Sequence, residues 1–517
     1  MSIVPYEDDG LFLLPFASLP KLKKGEIIMI YPSIEEAKKK YSEYNVFPVV
    51  REILSDSFTP IHIFKALKRN EENAFILESV NNGNQWGRYS FIGINPKIEV
   101  KINKGTAMLT ENGITTEEKI SNPVSFLQNI LNSYKAPKIK GMPNFTGGFA
   151  GYFGYDTVRY TEKKLVNVPE DDTLMPDCHL FLYDEVVAYD HLNSKIIIII
   201  NIYNNDNIEQ QYTDAEKRMD KITDKINSYF ERPRNIGTTK NITVNSNVTK
   251  EEFINNVETA KKHIVAGDIF QIVLSQRFEI DNPPDSFNVY RMLRATNPSP
   301  YLYYFKNKDY NIAGASPEML VNVTDGIVKT KPIAGTVPRG KTEEEDLALE
   351  KSLISDPKEC AEHTMLVDLG RNDVGKVSEF GSVEVTSFMK TERYSKVMHL
   401  VSDVKGKLRS DKNALDALMA VLPAGTLSGA PKVRAMEIID ELENKRRGLY
   451  GGTVGYIGFD GNIDTCIAIR TVLFKNKKAY IQAGAGIVYD SVPEKEFCET
   501  QNKAKAMINA IEEATAL

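Results

Sequence analysis

Within the stretch SDPKECAEHTMLVDLGRND, residues 355–373, Glu359, Glu362 and His363 stand at i, i+3 and i+4. Asp356 suits an N-cap and Pro357 a first helical turn, so the spacing predicts a helix with all three side chains on one face. A second acidic pair, Glu496 and Glu499, follows Pro493, which opens another expected helix, and Lys503 falls on the same face. Carboxylates brought close together repel unless a proton or a cation lies between them. Four carboxylates with no second His nearby, and with Cys360 and Cys498 off the shared faces, suit a hard, oxygen-preferring cation such as Mg²⁺. The same spacings also describe two ordinary solvated acidic faces. Charge pattern alone leaves both readings standing.

Three further constellations could do chemistry. In PAGTLSGAPKVRAMEII, Gly425 and Gly429 with Thr426 and Ser428 form a loop ahead of a helix expected over Lys432–Ile439. Such a loop can present backbone N–H groups to an anion. In QAGAGIV, Gly484 and Gly486 permit close approach of a ligand to the backbone, and the preceding strand IDTCIAIRT brings Arg470, a bidentate partner for a carboxylate. In GASPEML, Glu318 at the exit of a strand could serve as a general acid. Glycine-rich turns, close strand packing and a surface Glu are the plain alternatives. Of the six histidines, His399 lies among apolar residues, as core or boundary histidines do, and His363 could orient a neighbouring group. The Gly425–Lys432 loop does not follow GxxxxGK[ST], and GxSxG and a GxGxxG after a strand are absent from the chain.

These residues need elements to hold them. Strand-length apolar or alternating runs fill the first half: AFILES at 74–79, GRYSFIGI at 87–94, GGFAGYFGYD at 147–156, LFLYDEVVAYD at 180–190 and KIIIIINIY at 195–203. Residues 212–229 are polar with helical spacing, and 231–247 read as a linker or surface crossing. Thr249 and Glu252 match a capping box, followed by the apolar stripe Phe253, Ile254, Val257, Ala260 and Ile264 and by Gly267 as the stop. IFQIVLSQRFEI, GTVGYIGF and AYIQAGAGIV read as strands. The pattern predicts an α/β protein with large packed sheets in two regions, 1–235 and 248–517.

With 517 residues, 42% hydrophobic and 26% charged, the composition is that of a globular protein large enough for two domains. A net charge of −6 offers no basic field for nucleic acid. The runs Lys21–Lys24, Lys38–Lys40 and Lys445–Arg447 are short and read as solvated surface. Cys178, Cys360, Cys466 and Cys498 lack metal-ligand or disulfide spacing and read as reduced thiols, as in the cytoplasm. No leader is evident at the N-terminus, and the longest aliphatic run, Ile196–Ile200, is too short to span a bilayer.

The ordered motifs resemble those of the component I (large-subunit) anthranilate synthases among the chorismate-utilising enzymes. The resemblance rests on LES at 77–79, GRYSFIG, GGFAGYFGYD, MPDCHLFLYDEVVAYDH, DIFQIVLSQRF, NPSPYLYYF, GASPEML, KPIAGT, DPKECAEHTMLVDLGRNDVG, VMHLVSDVKG, PAGTLSGAPK, YGGTVGYIGF, DTCIAIRT and QAGAGIVYDSVPEKEFCETQNKA. It covers most of the chain. It implies two antiparallel sheets packed together with helices outside. It also implies conversion of chorismate and ammonia to anthranilate and pyruvate in tryptophan biosynthesis.

Residue by residue, the resemblance makes Glu362 and Glu499 the Mg²⁺ ligands, with Glu359 and Glu496 reaching the ion through water. Arg470, Tyr450 and the backbone at Gly484, Ala485 and Gly486 would take the enolpyruvyl carboxylate. Thr426 would line the substrate, and Lys503 would contact a substrate carboxylate. Glu318 is implied as general acid for the hydroxyl leaving ring carbon 4, and His399 as the histidine of pyruvate elimination. Glu78, Ser79 and Arg88, with Pro300, Tyr301 and Leu302 opposite, resemble the elements that bind tryptophan as a feedback inhibitor.

Two positions discriminate within the family. Water-adding relatives carry a Lys where this chain has Gln271, and aminodeoxychorismate synthases carry a Lys where it has Ala334. Both departures point to ammonia and anthranilate; aminodeoxychorismate synthase component I is the alternative. No cysteine has the context of a glutaminase nucleophile. The resemblance therefore implies a separate glutamine amidotransferase subunit, in a heterotetramer.

Overall fold

The structure, a computed structural model, describes residues 30–81, 85–204, 207–231, 237–394 and 397–517. The N-terminal stretch read for a leader, the basic run Lys21–Lys24 and residues 232–236 of the expected crossing lie outside the described residues.

The apolar runs build two twelve-stranded antiparallel sheets. The first passes from Val46–Leu54 through Lys195–Tyr203, Glu185–Asp190, Tyr89–Ile94 and Ala74–Glu78. It continues through Tyr301–Lys306, Asn311–Ser316, Thr471–Lys475 and Lys478–Ile487 to Gln271–Asp281 and a short edge strand. The second passes from Ile333–Pro338 through Val397–Lys407, Ile327–Thr330, Met319–Thr324, Ile463–Ile467 and Thr453–Gly458. Gly148–Phe153, Cys178–Tyr183 and Ile98–Asn103 follow. Both sheets take strands from either side of the 235–248 boundary. Leu302 stands opposite Glu78 in one sheet, and Gly455 opposite Gly151 in the other.

The inner faces meet in a buried layer to which Phe75, Tyr303 and Phe305 contribute from the first sheet and Tyr152, Phe181 and Tyr456 from the second. Helices cover the outer faces. Phe64, Met219, Leu293 and Met507 bring Pro60–Leu67, Ile208–Ser228, Ser286–Thr296 and Pro493–Ala514 onto the first sheet. Leu127, Val367 and Leu418 bring Pro123–Leu131, Pro357–Gly375 and Ala414–Val421 onto the second. Burying each of these side chains contributes roughly 1.5–3 kcal/mol.

Local signals held where they were sharp. Asp356 caps Pro357–Gly375, accepting from the Lys358 and Glu359 N–H groups at 2.9 and 3.3 Å. The Thr249–Glu252 capping box opens Lys250–Val265, and Gly267 takes φ +82° just beyond it. Within the expected surface crossing, Asn245–Ser246 pairs with the Gln271–Asp281 strand. The run Lys445–Arg447 is not the solvated patch expected: Arg446 and Arg447 are buried, in ion pairs with Asp177 and Glu443. No described helix is long and apolar enough to cross a membrane.

Two runs read as single strands are each divided between the sheets. Cys178–Tyr183 lies in the second sheet and Glu185–Asp190 in the first. IDTCIAIRT divides the same way, Ile463–Ile467 in the second sheet and Thr471–Lys475 in the first, so Arg470 lies between strands rather than within one. At these strands both faces of the sheets are covered, so an apolar run continues unbroken through the switch and periodicity does not announce it. The chain crosses again between Asn311–Ser316 and Met319–Thr324, at Glu318. These last two crossings lie side by side. Ile467 N–H donates to the Glu318 carbonyl at 3.0 Å, and Ala315 N–H to the Arg470 carbonyl at 3.1 Å.

Candidate active site

Glu318 lies at the first of these crossings. Burial pushes its carboxyl up to about 7, against the opposing pull of a hydrogen bond from Thr426 and the charge of Lys503. Thr426 Oγ1 donates to Glu318 Oε1 at 3.0 Å from the single 3₁₀ turn Gly425–Leu427. The carboxyl is therefore poised to hold and release a proton near neutral pH. Arg470, at the second crossing, adopts φ +51°, a left-handed conformation that costs a non-glycine residue on the order of 1–3 kcal/mol. Burial lowers its pKa, opposed by Tyr450 and Glu499, and it makes no ion pair among the described residues. A half-buried guanidinium without a carboxylate is a ready site for an anion.

The Lys478–Ile487 strand supplies the floor. A Cβ at Gly484 would sit 2.7 Å from the Tyr450 hydroxyl and 2.9 Å from the Leu274 carbonyl, so only glycine lets that tyrosine approach. Lys503 Nζ donates to the Gly484 carbonyl at 2.9 Å and pairs with Glu499 Oε1 at 2.7 Å, which ties the C-terminal helix to this strand. Gly486 lies beside Gln271: its added Cβ would come within 3.0 Å of Gln271 Nε2. Gln271 Nε2 donates to Glu362 Oε1 at 3.0 Å, while Gln271 Oε1 is buried with no partner among the described residues.

The carboxylates of the two helices feel one another. The Glu359 pKa is raised by burial, then by Glu362 and Asp356, and further by Glu499 on the other helix; Lys358 opposes. That of Glu496 is raised by burial and by Glu499, against the pull of a Ser491 hydrogen bond, Lys358 and Lys503. Hard oxygen donors in a negative field that Lys503 and Lys358 only partly offset fit a divalent cation such as Mg²⁺. They approach in pairs, and among the described residues no three His, Cys, Asp or Glu side chains converge closely enough to hold a metal ion. His363 is buried and bonds Ser402 Oγ at 2.6 Å.

His399 lies on the Val397–Lys407 strand, partly buried. Its Nδ1 lies 3.2 Å from the Gly335 carbonyl and 2.9 Å from Thr336 Oγ1. A carbonyl only accepts, so Nδ1 carries the proton and Nε2 is the basic nitrogen. Burial lowers the imidazole pKa, as does Arg470, while the Gly335 bond and Glu392 raise it. The structure thus brings Glu318, Thr426, Lys503, Glu499 and Arg470 into one electrostatic neighbourhood, which Arg470 extends to His399.

A separate cavity of about 540 Å³ opens beyond the crossings. Glu78, Ser79, Arg88, Pro300, Tyr301 and Leu302 all line it. Glu78 is buried, and its carboxylate is already bound by Tyr290 at 2.5 Å, Arg294 at 2.7 and 3.2 Å and Ser90 at 3.3 Å. An amino group reaching it must share a carboxylate that is already paired. Arg88 pairs with Asp190 at 3.2 Å, and the Tyr301 hydroxyl donates to Asp464 at 3.0 Å. Burial pushes the Asp464 carboxyl up to about 6, against hydrogen bonds from Tyr301 and Asn322. Asp464, Lys331, Glu392 and Tyr394 also line this cavity. Sequence reasoning missed them, because they come from three distant stretches of the chain with no local signal.

The chorismate binding enzyme family matches residues 72–509. Anthranilate synthase component 1 of Acetivibrio thermocellus is 52% identical over 494 residues, covering 94% of this chain and 99% of its own. That of Aquifex aeolicus is 46% identical, covering 93% and 97%. Anthranilate synthase component I from Streptococcus pneumoniae TIGR4 superposes with a TM-score of 0.73 at 42% identity, covering 88% of this chain and 99% of its own. MenF, the menaquinone-specific isochorismate synthase from Escherichia coli, shares the fold at 17% identity and a TM-score of 0.67. On this match over most of its length, the chain is an enzyme and belongs to the chorismate binding enzyme family.

Proposed function

We propose that this chain is the large subunit of an anthranilate synthase. It would convert chorismate and ammonia to anthranilate and pyruvate for tryptophan biosynthesis in the cytoplasm, under feedback inhibition by tryptophan. The observation that carries the reading is Glu318, a carboxyl pushed up to about 7 and held by Thr426, in the same neighbourhood as the unpaired Arg470. Arg470 takes the enolpyruvyl carboxylate, with Tyr450 and the backbone of Gly484, Ala485 and Gly486 closing around it. Lys503 contacts a substrate carboxylate. Glu362 and Glu499 would hold Mg²⁺, with Glu359 and Glu496 behind them, and the ion would withdraw electron density through the ring carboxylate.

In the first step ammonia bonds to ring carbon 2 and both ring double bonds shift by one position, toward carbon 4. The bond from carbon 4 to its hydroxyl breaks, with the Glu318 proton leaving in the water formed. Gln271 favours ammonia over water here: an amide cannot act as the base that water needs, and its partnerless Oε1 is an acceptor for an N–H group. Ala334 offers no amine for a covalent route. In the second step the His399 Nε2 takes the proton at carbon 2. Ammonia is supplied by a separate glutamine amidotransferase subunit, in a heterotetramer.

The test is the purified chain with chorismate, Mg²⁺ and ammonium at mildly alkaline pH, followed by anthranilate fluorescence. Formation of anthranilate and pyruvate in equal amounts is expected. Aminodeoxychorismate or isochorismate as the end product contradicts the reading.

A further inference from the structure

The cavity and the catalytic residues share a wall, and Tyr394 stands in it. Pro317 and Met319 line the cavity, while Glu318 between them bonds Thr426. An extended chain turns alternate side chains to opposite sides, so this crossing presents one face to each site. Tyr394 closes the cavity further along, beside Glu392 and Lys331.

The Tyr394 ring lies edge-on to the His399 imidazole, with centroids 5.4 Å apart and planes at 68°. Its hydroxyl donates to Glu392 Oε2 at 2.9 Å, and Lys331 Nζ donates to Glu392 Oε1 at 2.6 Å. Glu392 stands directly opposite His399 in the strand ladder. At the other end of the residue, Arg339 Nη1 donates to the Tyr394 carbonyl at 2.8 Å. The ring is thus held at both ends. The imidazole is fixed at Nδ1 by Gly335 and Thr336 and flanked by this ring.

We propose that Tyr394 is a positioning residue for His399, and that a ligand filling the cavity acts on the second half-reaction through it. The proposal rests on the elimination role given to His399 above. In that step Nε2 takes the proton from ring carbon 2 and the bond from carbon 3 to the enol-ether oxygen breaks. The electron pair from the C–H bond completes the aromatic ring, and enolpyruvate leaves to be protonated to pyruvate. Proton removal from carbon tolerates little misalignment; a displacement of about 1 Å costs on the order of 10²-fold. A cavity ligand touches Tyr394, Glu392 and Lys331 without touching His399.

Tyr394→Leu removes the ring, and Tyr394→Phe removes only the hydroxyl. The readout is the ratio of amino intermediate to anthranilate released from chorismate, which a merely structural loss would not move. We expect the ratio to rise on the order of tenfold in Tyr394→Leu and to stay within about twofold of wild type in Tyr394→Phe. An unchanged ratio in folded Tyr394→Leu, or equal shifts in both variants, overturns the proposal. Should Tyr394→Leu not fold, the wild-type enzyme under partial inhibition by tryptophan gives a second reading. Its residual turnover should release a larger share of amino intermediate, and an unchanged share again overturns it. Failure of the underlying role for His399 is distinct, because His399→Met would then stop chorismate consumption itself.

Discussion

The two sides of the paired crossings differ in how they treat charge. On the cavity side Glu78 is matched by Arg294, Arg88 by Asp190 and Lys331 by Glu392, while Asp464 is held by the Tyr301 hydroxyl. On the other side Arg470 has no carboxylate partner among the described residues, and Lys503 pairs with Glu499 alone, leaving Glu359 and Glu496 to repel it. Ion pairs satisfy a wall and leave it indifferent to charged ligands. Unmatched charges hold a site ready for a dianion and a cation, which complete it only when they arrive together. On the function proposed above, the difference suits one side to reaction and the other to recognition of a ligand that carries both charges itself.

The sharpest way to break that comparison is at the carboxylates. Glu499→Gln keeps the shape of the side chain and removes one charge. Turnover should fall by about three orders of magnitude, since charge stabilisation by a metal is worth several kcal/mol. Circular dichroism should show an intact fold. Near-wild-type turnover without added metal would sink the assignment of Glu499.

Glu318 comes next. Glu318→Gln should lower the amination rate by roughly 10²–10⁴-fold. The acid must be protonated to act, so at fixed free ammonia kcat/KM should fall as pH rises through about 7, the value to which burial raises this carboxyl. A bound dianion disfavours the carboxylate further, so the corresponding limb of kcat should lie higher. A pH profile whose alkaline limb survives unchanged in Glu318→Gln would assign that limb to another group.

His399→Met should affect one half-reaction only. Chorismate should still disappear while the amino intermediate accumulates, with anthranilate formation down on the order of 10²-fold. Loss of chorismate consumption in a folded His399→Met protein would remove His399 from the second step.

How much of this was legible follows the same division. The acidic helices were readable from the i, i+3 spacing of Glu359 with Glu362 and of Glu496 with Glu499, with Asp356 and Pro493 marking their starts. Their convergence was not readable, because it is set by how Pro357–Gly375 and Pro493–Ala514 dock on different sheets. Glu318 and Arg470 could be singled out as chemical residue types. Their pairing depends on two strand runs breaking between sheets, and an apolar run gives no sign of that break. Gln271 was legible as a discriminating residue, yet its bond to Glu362 joins positions far apart in the chain. The cavity wall formed by Lys331, Glu392, Tyr394 and Asp464 had no local pattern at all.

The central claim is that one pair of crossings carries two separable sites, and a double dissociation tests it most directly. Turnover and calorimetric tryptophan affinity are measured together for Ser79→Phe and Arg470→Lys. Ser79→Phe should fill the cavity, lose tryptophan binding and inhibition, and keep turnover within about twofold; coupling of this kind typically amounts to 5–150-fold. Arg470→Lys loses the bidentate fork, so turnover should fall on the order of 10²-fold while tryptophan still binds. Unchanged tryptophan affinity in Ser79→Phe, or loss of tryptophan binding in Arg470→Lys, would contradict the account.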